Sequence, residues 1–219
     1  MNEIIAQRQQ AERQDRIDKI LNTARKLFFR KGYLNTTVRD IALKAHFSTG
    51  VIYFYFKGKG DIYGRICEEG YHIMIGLTKE AAQVQGTSLD KLVAVWRAYY
   101  RFYTEYKEYH DIINFSNVGF RRVGLPAETV IRLEELSTQA LLIANEVVVE
   151  GIKEGVIDYQ GDSLELTLLG WASIQGLISI LERGYLGKYK LDFVKLRDIQ
   201  IELLKSIVTQ PNLHSIAKS

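Results

Sequence analysis

Apolar positions recur along this chain at steps of three and four, the spacing of helices that bury one face. From Asp15 to Lys31 they are Ile17, Ile20, Leu21, Ala24, Leu27 and Phe28. Asp15 is placed to cap the start of that helix and Gly32 to end it. A short stretch follows with Val38, Ile41, Ala42 and Ala45 on one side. Asp40 stands three residues after Thr37, the spacing of a capping box. His46-Phe47-Ser48 then predicts a turn. Ser48 caps a second short helix in which Ile52, Tyr55 and Phe56 face inward and Thr49, Gly50 and Tyr53 face away. Three aromatics in a row, Tyr53, Phe54 and Tyr55, cannot all point one way, so at least one is exposed or at an interface. The next helix is expected from Ile62 to Gln83.

The remaining pattern is also helical. Ser88 is placed to cap a helix expected to reach Tyr109, with Leu92, Trp96, Tyr99, Tyr103 and Tyr106 on one face and Val95, Phe102, Val93 and Tyr100 on others. A helix apolar nearly all round is buried or lines a hollow, and the residues alone fit both. A short helix is expected from His110 to Phe120, and a long one from Pro126 to Lys153. Another starts at Asp162 or Ser163 and interleaves Gly170, Ala172, Ser173, Gly176 and Ser179 among larger apolar residues. The last runs from Asp192 to Val208. These two terminal amphipathic helices fit a four-helix interface between two copies of the chain. Ala172, Gly176, Ser179, Leu196, Ile199 and Leu203 are the expected contacts. The fold class is all-α. Residues 1–15, with weak apolar content and alternating charge, are expected to be a mobile arm.

Composition narrows the function. There are only two prolines among 219 residues, which favours long helices. No uninterrupted run of about 18 apolar residues occurs, so no membrane partner is expected. The polar N-terminus does not resemble a signal peptide, and the single cysteine fits a reducing compartment, so a cytoplasmic location is expected. Residues 1–60 hold twelve Lys/Arg against five Asp/Glu, a net of +7, while residues 61–219 hold seventeen against twenty-one, a net of −4. A basic front on an acidic body points to a polyanion partner for the front. The four histidines are scattered, and no P-loop, dinucleotide fingerprint or nucleophile elbow occurs. No metal, no cofactor and no enzymatic activity are expected.

The run from Thr36 to Tyr63 resembles the DNA-binding domain of the TetR/AcrR family of bacterial transcriptional repressors. Thr37, Ile41, Ala42, Gly50, Tyr53, Phe56, Lys59 and Asp61 fall in register over about residues 16–76. The resemblance implies a helix-turn-helix domain over 16–61, a connecting helix over 62–83, and a ligand-binding and dimerisation domain over 84–219. It implies that Thr49, Gly50, Val51 and Tyr53 approach bases and that Thr37, Tyr55 and Lys59 approach phosphates. Ser48 and Lys57 join this set as the cap and the flanking cation. The chain departs from the family pattern at His46, where glycine is usual, at Thr49, where lysine is common, and at Gly60, which replaces an acidic residue. The implied partners are a double-stranded palindromic DNA operator, a second copy of the chain and a small hydrophobic or aromatic effector. Trp96, Tyr99, Tyr100, Tyr103, Tyr106, Phe115, Trp171 and Gln175 are the expected lining of the effector site. The alternative is a small-molecule binding protein whose helix-turn-helix is vestigial.

Overall fold

The computed structural model describes residues 2–116 and 125–210, with side chains described from residue 4 to 114 and from 125 to 210. Ten helices and no strands occur among these residues. They gather into two compact units, residues 1–72 with 106–136 and residues 73–105 with 137–219.

In the first unit, α1 (Asn2–Lys31) is followed by α2 (Val38–Ala45), α3 (Thr49–Tyr55) and the start of α4 (Lys59–Ala82). The expected arm is helical from Asn2 onward, so Asp15 lies inside α1 rather than capping it. Residues 4–16 are exposed, and α1 enters the core only from Ile20. Ile20, Ala24, Ile41, Ala45, Ile52, Ile62 and Ile66 have no exposed surface and form that core.

Helix α6 (Lys107–Ser116) packs on α1. The Tyr63 hydroxyl donates to the Ile112 carbonyl, and the Arg25 guanidinium lies 4.5 Å from the Tyr109 ring centroid. The first turns of α7 (Ala127–Glu154) touch α4 at a few side chains. Lys57 donates to Glu128 at 2.9 Å, and Arg132 Nε donates to Glu68 at 2.5 Å. Between these pairs Gly64 meets Thr129 with no room for a Cβ.

The second unit is built from the rest of α4 and α7 with α5 (Ser88–Glu105), α8 (Ser163–Glu182), the short α9 (Tyr185–Lys188) and α10 (Phe193–Thr209). The aromatic helix ends earlier than its periodicity suggests. α5 stops at Glu105, and the Tyr106 carbonyl accepts the amides of Tyr109 and His110 to open α6. Ser88 is the first residue of α5 rather than its cap; the Thr87 hydroxyl accepts the Asp90 amide at 3.2 Å in that role, while the Ser88 amide donates to Glu154 and Lys91 pairs with Glu150, which fastens α5 to the end of α7.

Helix α8 is long and apolar enough to cross a membrane by length and composition alone. The expectation from uninterrupted runs missed this, because small polar residues break the run without changing its average. Only 22% of its apolar window is buried, so one face is open. Leu168, Leu169, Ala172, Gly176 and Ile180 are exposed there, at helical steps of three and four. On α10, Ile199, Leu203 and Ile207 form a second exposed apolar stripe.

Two glycines of α4 give a direct test of packing. An added methyl at Gly64 would overlap the Thr129 methyl, and Thr129 is buried and stiff at χ1. Nothing lies near a methyl at Gly76. Gly64→Ala is expected to destabilise by ~1–3 kcal/mol, and Gly76→Ala to stabilise by ~0.5–1 kcal/mol. Urea unfolding of both variants checks the opposite signs.

Candidate nucleic-acid interface

The interface is built from two short helices that the sequence caps on purpose. The Asp40 amide donates to Thr37 Oγ1 at 3.1 Å and the Thr37 amide donates to Asp40 Oδ2 at 2.9 Å, a complete capping box. Those hydrogen bonds hold the Asp40 carboxyl below the usual carboxylate range. They also change the phosphate expectation for this helix end. A carboxylate already stands at the α2 N-terminus, so the site is less receptive to a second anion than a bare N-terminus.

His46 sits in the left-handed region, φ 59° and ψ 41°, where glycine would be unstrained. Its amide and that of Phe47 bond back to α2 carbonyls, and Lys19 Nζ lies 5.0 Å from the Phe47 ring centroid. The turn therefore keeps its shape without glycine. Ser48 follows in extended conformation and accepts the Val51 amide at 3.3 Å, which starts α3.

Helix α3 buries Ile52, and Phe56 at its C-cap is buried beside it. Val51 and Tyr55 are half-buried, while Thr37, Ser48, Thr49, Gly50 and Tyr53 are exposed. The expected base-facing set is thus together on one side, with Val51 at its margin. Sequence reasoning left out Phe54, which is 77% exposed one turn after Gly50. The signal was present in the three consecutive aromatics.

The two lysines differ. Lys57 is exposed, and its charge is matched by Glu128, which raises the lysine above its usual range and lowers the carboxylate. Lys59 turns inward. Its ammonium donates to the Tyr33 carbonyl at 2.9 Å and stands 4.2 Å from the Tyr33 ring centroid, and burial pulls it below the usual lysine range. Lys59, for which the resemblance implies a phosphate contact, here clamps the start of α4 to the loop before α2. Gly60 does not leave α4 unanchored, because Asp61 accepts the Lys57 amide at 2.9 Å.

The residues expected to line an effector site divide. Trp96 packs against Gly170, where a Cβ would come within 2.9 Å of the indole nitrogen. Tyr100 and Tyr103 set their rings on Phe193, 5.8 and 6.2 Å between centroids. The Tyr100 hydroxyl donates to Gln200, which in turn donates to the Ser173 carbonyl at 2.7 Å. These three aromatics hold α5 to α8 and α10. Tyr99, Tyr106 and Gln175 are half-buried, and Trp171 is exposed on α8. Phe115 lies outside the residues whose side chains are described.

Comparison with known proteins agrees with this geometry. Residues 20–66 match the family described as bacterial regulatory proteins, tetR family. A fatty acid metabolism regulator protein of Bacillus subtilis is 25% identical over 187 residues, which is 85% of this chain and 92% of the relative. A tetR-family regulatory protein from Rhodococcus RHA1 shares the fold with a TM-score of 0.71 at 20% identity, over 88% of this chain and 96% of its own. The transcriptional regulator FadR from Bacillus subtilis, solved in complex with stearoyl-CoA, shares it with a TM-score of 0.68 at 23% identity, over 86% and 97%. With its capped helix-turn-helix and the match over residues 20–66, the chain carries a tetR-family DNA-binding domain on an all-helical body.

Proposed function

We propose that the chain is a homodimeric repressor that binds a palindromic operator through α3 and leaves it when a long apolar effector binds the helical body. The observation that carries the DNA half is the exposed, uncharged face of α3, with Thr49, Gly50 and Tyr53 set between basic flanks. Base edges specify a site, and phosphates position the protein on it. Dimerisation is supported by the open apolar faces of α8 and α10, where Ala172, Gly176, Ile199 and Leu203 are exposed and Leu196 half-buried. Ser179 is half-buried on the same helix as Gly176. A chain with such a stripe gains by covering it, and a two-fold copy covers both helices at once. Two readers would then meet half-sites roughly 34–36 Å apart.

For the effector, the full-length likeness to a fatty acid metabolism regulator and the fold shared with a stearoyl-CoA complex make a long-chain acyl-CoA the first compound to test. Such a ligand releases DNA only by its differential affinity for the two states of the protein. Helices α4 and α7 each run from one unit into the other, so both are continuous routes for that change.

An operator selected in vitro from random duplexes provides the assay. Wild-type protein is expected to enrich a palindrome, and Tyr53→Ala to lose it while remaining dimeric; enrichment of no sequence removes the DNA-binding role. Stearoyl-CoA is expected to release the bound operator, and undiminished binding at saturating ligand rejects this effector class.

Lys57→Ala is expected to reduce the salt slope by about one for each bound protomer. Lys59→Ala instead lowers the melting temperature, with little change in slope once binding is measured well below it. The double variant Ile199→Glu, Leu203→Glu is expected to be monomeric in light scattering and to lose high-affinity binding; an intact dimer would place the interface elsewhere.

A further inference from the structure

We propose that Phe54 reads a thymine methyl group in the operator and so fixes one base pair in each half-site. This rests on the DNA-binding role of α3 and adds to it a contact outside the Thr49, Gly50, Val51 and Tyr53 set.

Phe54 is the most exposed aromatic side chain among the described residues, at 77%. Its position is not that of a frayed end, because the amide of Phe56, two residues later, still bonds to the Ile52 carbonyl at 2.9 Å. Its ring stands edge-on to Tyr55, 5.0 Å between centroids and 88° between planes. Tyr55 is half-buried, so Phe54 leans on a held neighbour.

On a helix of 3.6 residues per turn, Phe54 lies one turn beyond Gly50 on the side shared with Tyr53. Gly50 adds no side chain to that side, and a Cβ added there would meet nothing nearer than Ser48 Oγ at 3.7 Å. Backbone at Gly50 can therefore come close to a groove, and a large apolar ring enters beside it.

The chemistry of the ring then selects its target. A phenyl group has no charge for a phosphate and no donor or acceptor for a base edge. In the major groove the apolar group it can meet is the C5-methyl of thymine. The contact also accounts for an otherwise unfavourable exposure, since a phenyl ring on a surface is stabilised when another apolar group removes it from water. A buried methyl is worth about 0.8 kcal/mol, or roughly fourfold in affinity.

The test uses the full chain and the operator it selects in vitro. Each thymine is replaced in turn by uracil, which removes the methyl and leaves every hydrogen-bonding group. The series is read against wild type, Phe54→Ala and Phe54→Leu. In wild type, one symmetry-related pair of replacements is expected to weaken binding roughly fourfold per methyl. In Phe54→Ala the same pair has no effect while other positions keep theirs, and Phe54→Leu gives an intermediate value. The salt slope stays constant across the three proteins, since no phosphate contact is lost. Circular dichroism checks that the variants remain folded.

If the uracil effects are the same in wild type and Phe54→Ala at every position, Phe54 does not read a methyl, although the DNA-binding role stands. If the selected operator has no symmetric thymine pair, the inference fails in the same way. If wild type selects no sequence at all, both the inference and the DNA-binding role fail.

Discussion

A helix of seven residues is not stable by itself, because its nucleus is unfavourable and its hydrogen bonds are few. Everything that α3 presents to a partner depends on what holds it from behind. Ile52 and Phe56 sink into the core of the first unit, and Ser48 ties down the first turn. That anchoring uses one side of the helix completely and leaves the other free of structural duty. Thr49, Gly50, Tyr53 and Phe54 can therefore be chosen for recognition, while a change at Ile52 would disturb all of them together. The left-handed His46 belongs to the same constraint, since the angle between α2 and α3 is set at that residue.

The second layer of support comes from far along the chain. Lys59 fastens the start of α4 to the loop at Tyr33, and Glu128, Thr129 and Arg132 fix the first turns of α7 to α4. Helices α2 and α3 share one compact unit with α1, the start of α4, α6 and the start of α7. The buried close approach at Gly64 leaves little slack in that assembly, because an interior packed to its limit moves as a body or not at all. Lys57 has a mixed position. The Glu128 carboxylate beside it must be displaced, or must tolerate a phosphate, before the lysine serves DNA.

The parts visible in the sequence were those governed by local rules. Thr37 with Asp40 and Ser48 cap the helices their spacing predicted, the last two long helices start beside Asp162 and Asp192 as expected, and Ile41, Ala42, Ala45 and Ile52 are buried as their periodicity required. Local rules also failed at Asp15, which lies inside α1, and beyond them the surroundings of a side chain are set by distant partners. Nothing near Lys59 in sequence says that its ammonium will meet Tyr33, and nothing near Lys57 says that Glu128 will stand beside it. The aromatic helix shows the same limit. Periodicity identified Trp96, Tyr100 and Tyr103 as apolar-facing, but whether a ring faces a hollow or a neighbouring helix is decided by Gly170 and Phe193, far along the chain. Phe54 was left out because a rule for which side is apolar cannot assign a purpose to an apolar residue on the other side.

Charge and shape are divided in space on this surface. The α3 face is neutral, a hydroxyl, a bare backbone, a phenol and a phenyl ring, while the cations of the basic front lie outside α3 in the chain, on α1, α2, the loop after α3 and the start of α4. Counterion release acts on the periphery and falls steeply with salt. Apolar and hydrogen-bond contacts at the centre are short-ranged and nearly indifferent to it. The same separation bears on control. A small rotation of the first unit would pull the central contacts out of register at once, since they act only at van der Waals and hydrogen-bond range, while the peripheral attraction would persist. Under the function proposed above, a regulator built in this way would give up its operator and still remain near DNA, the state from which it would return fastest once the effector is gone.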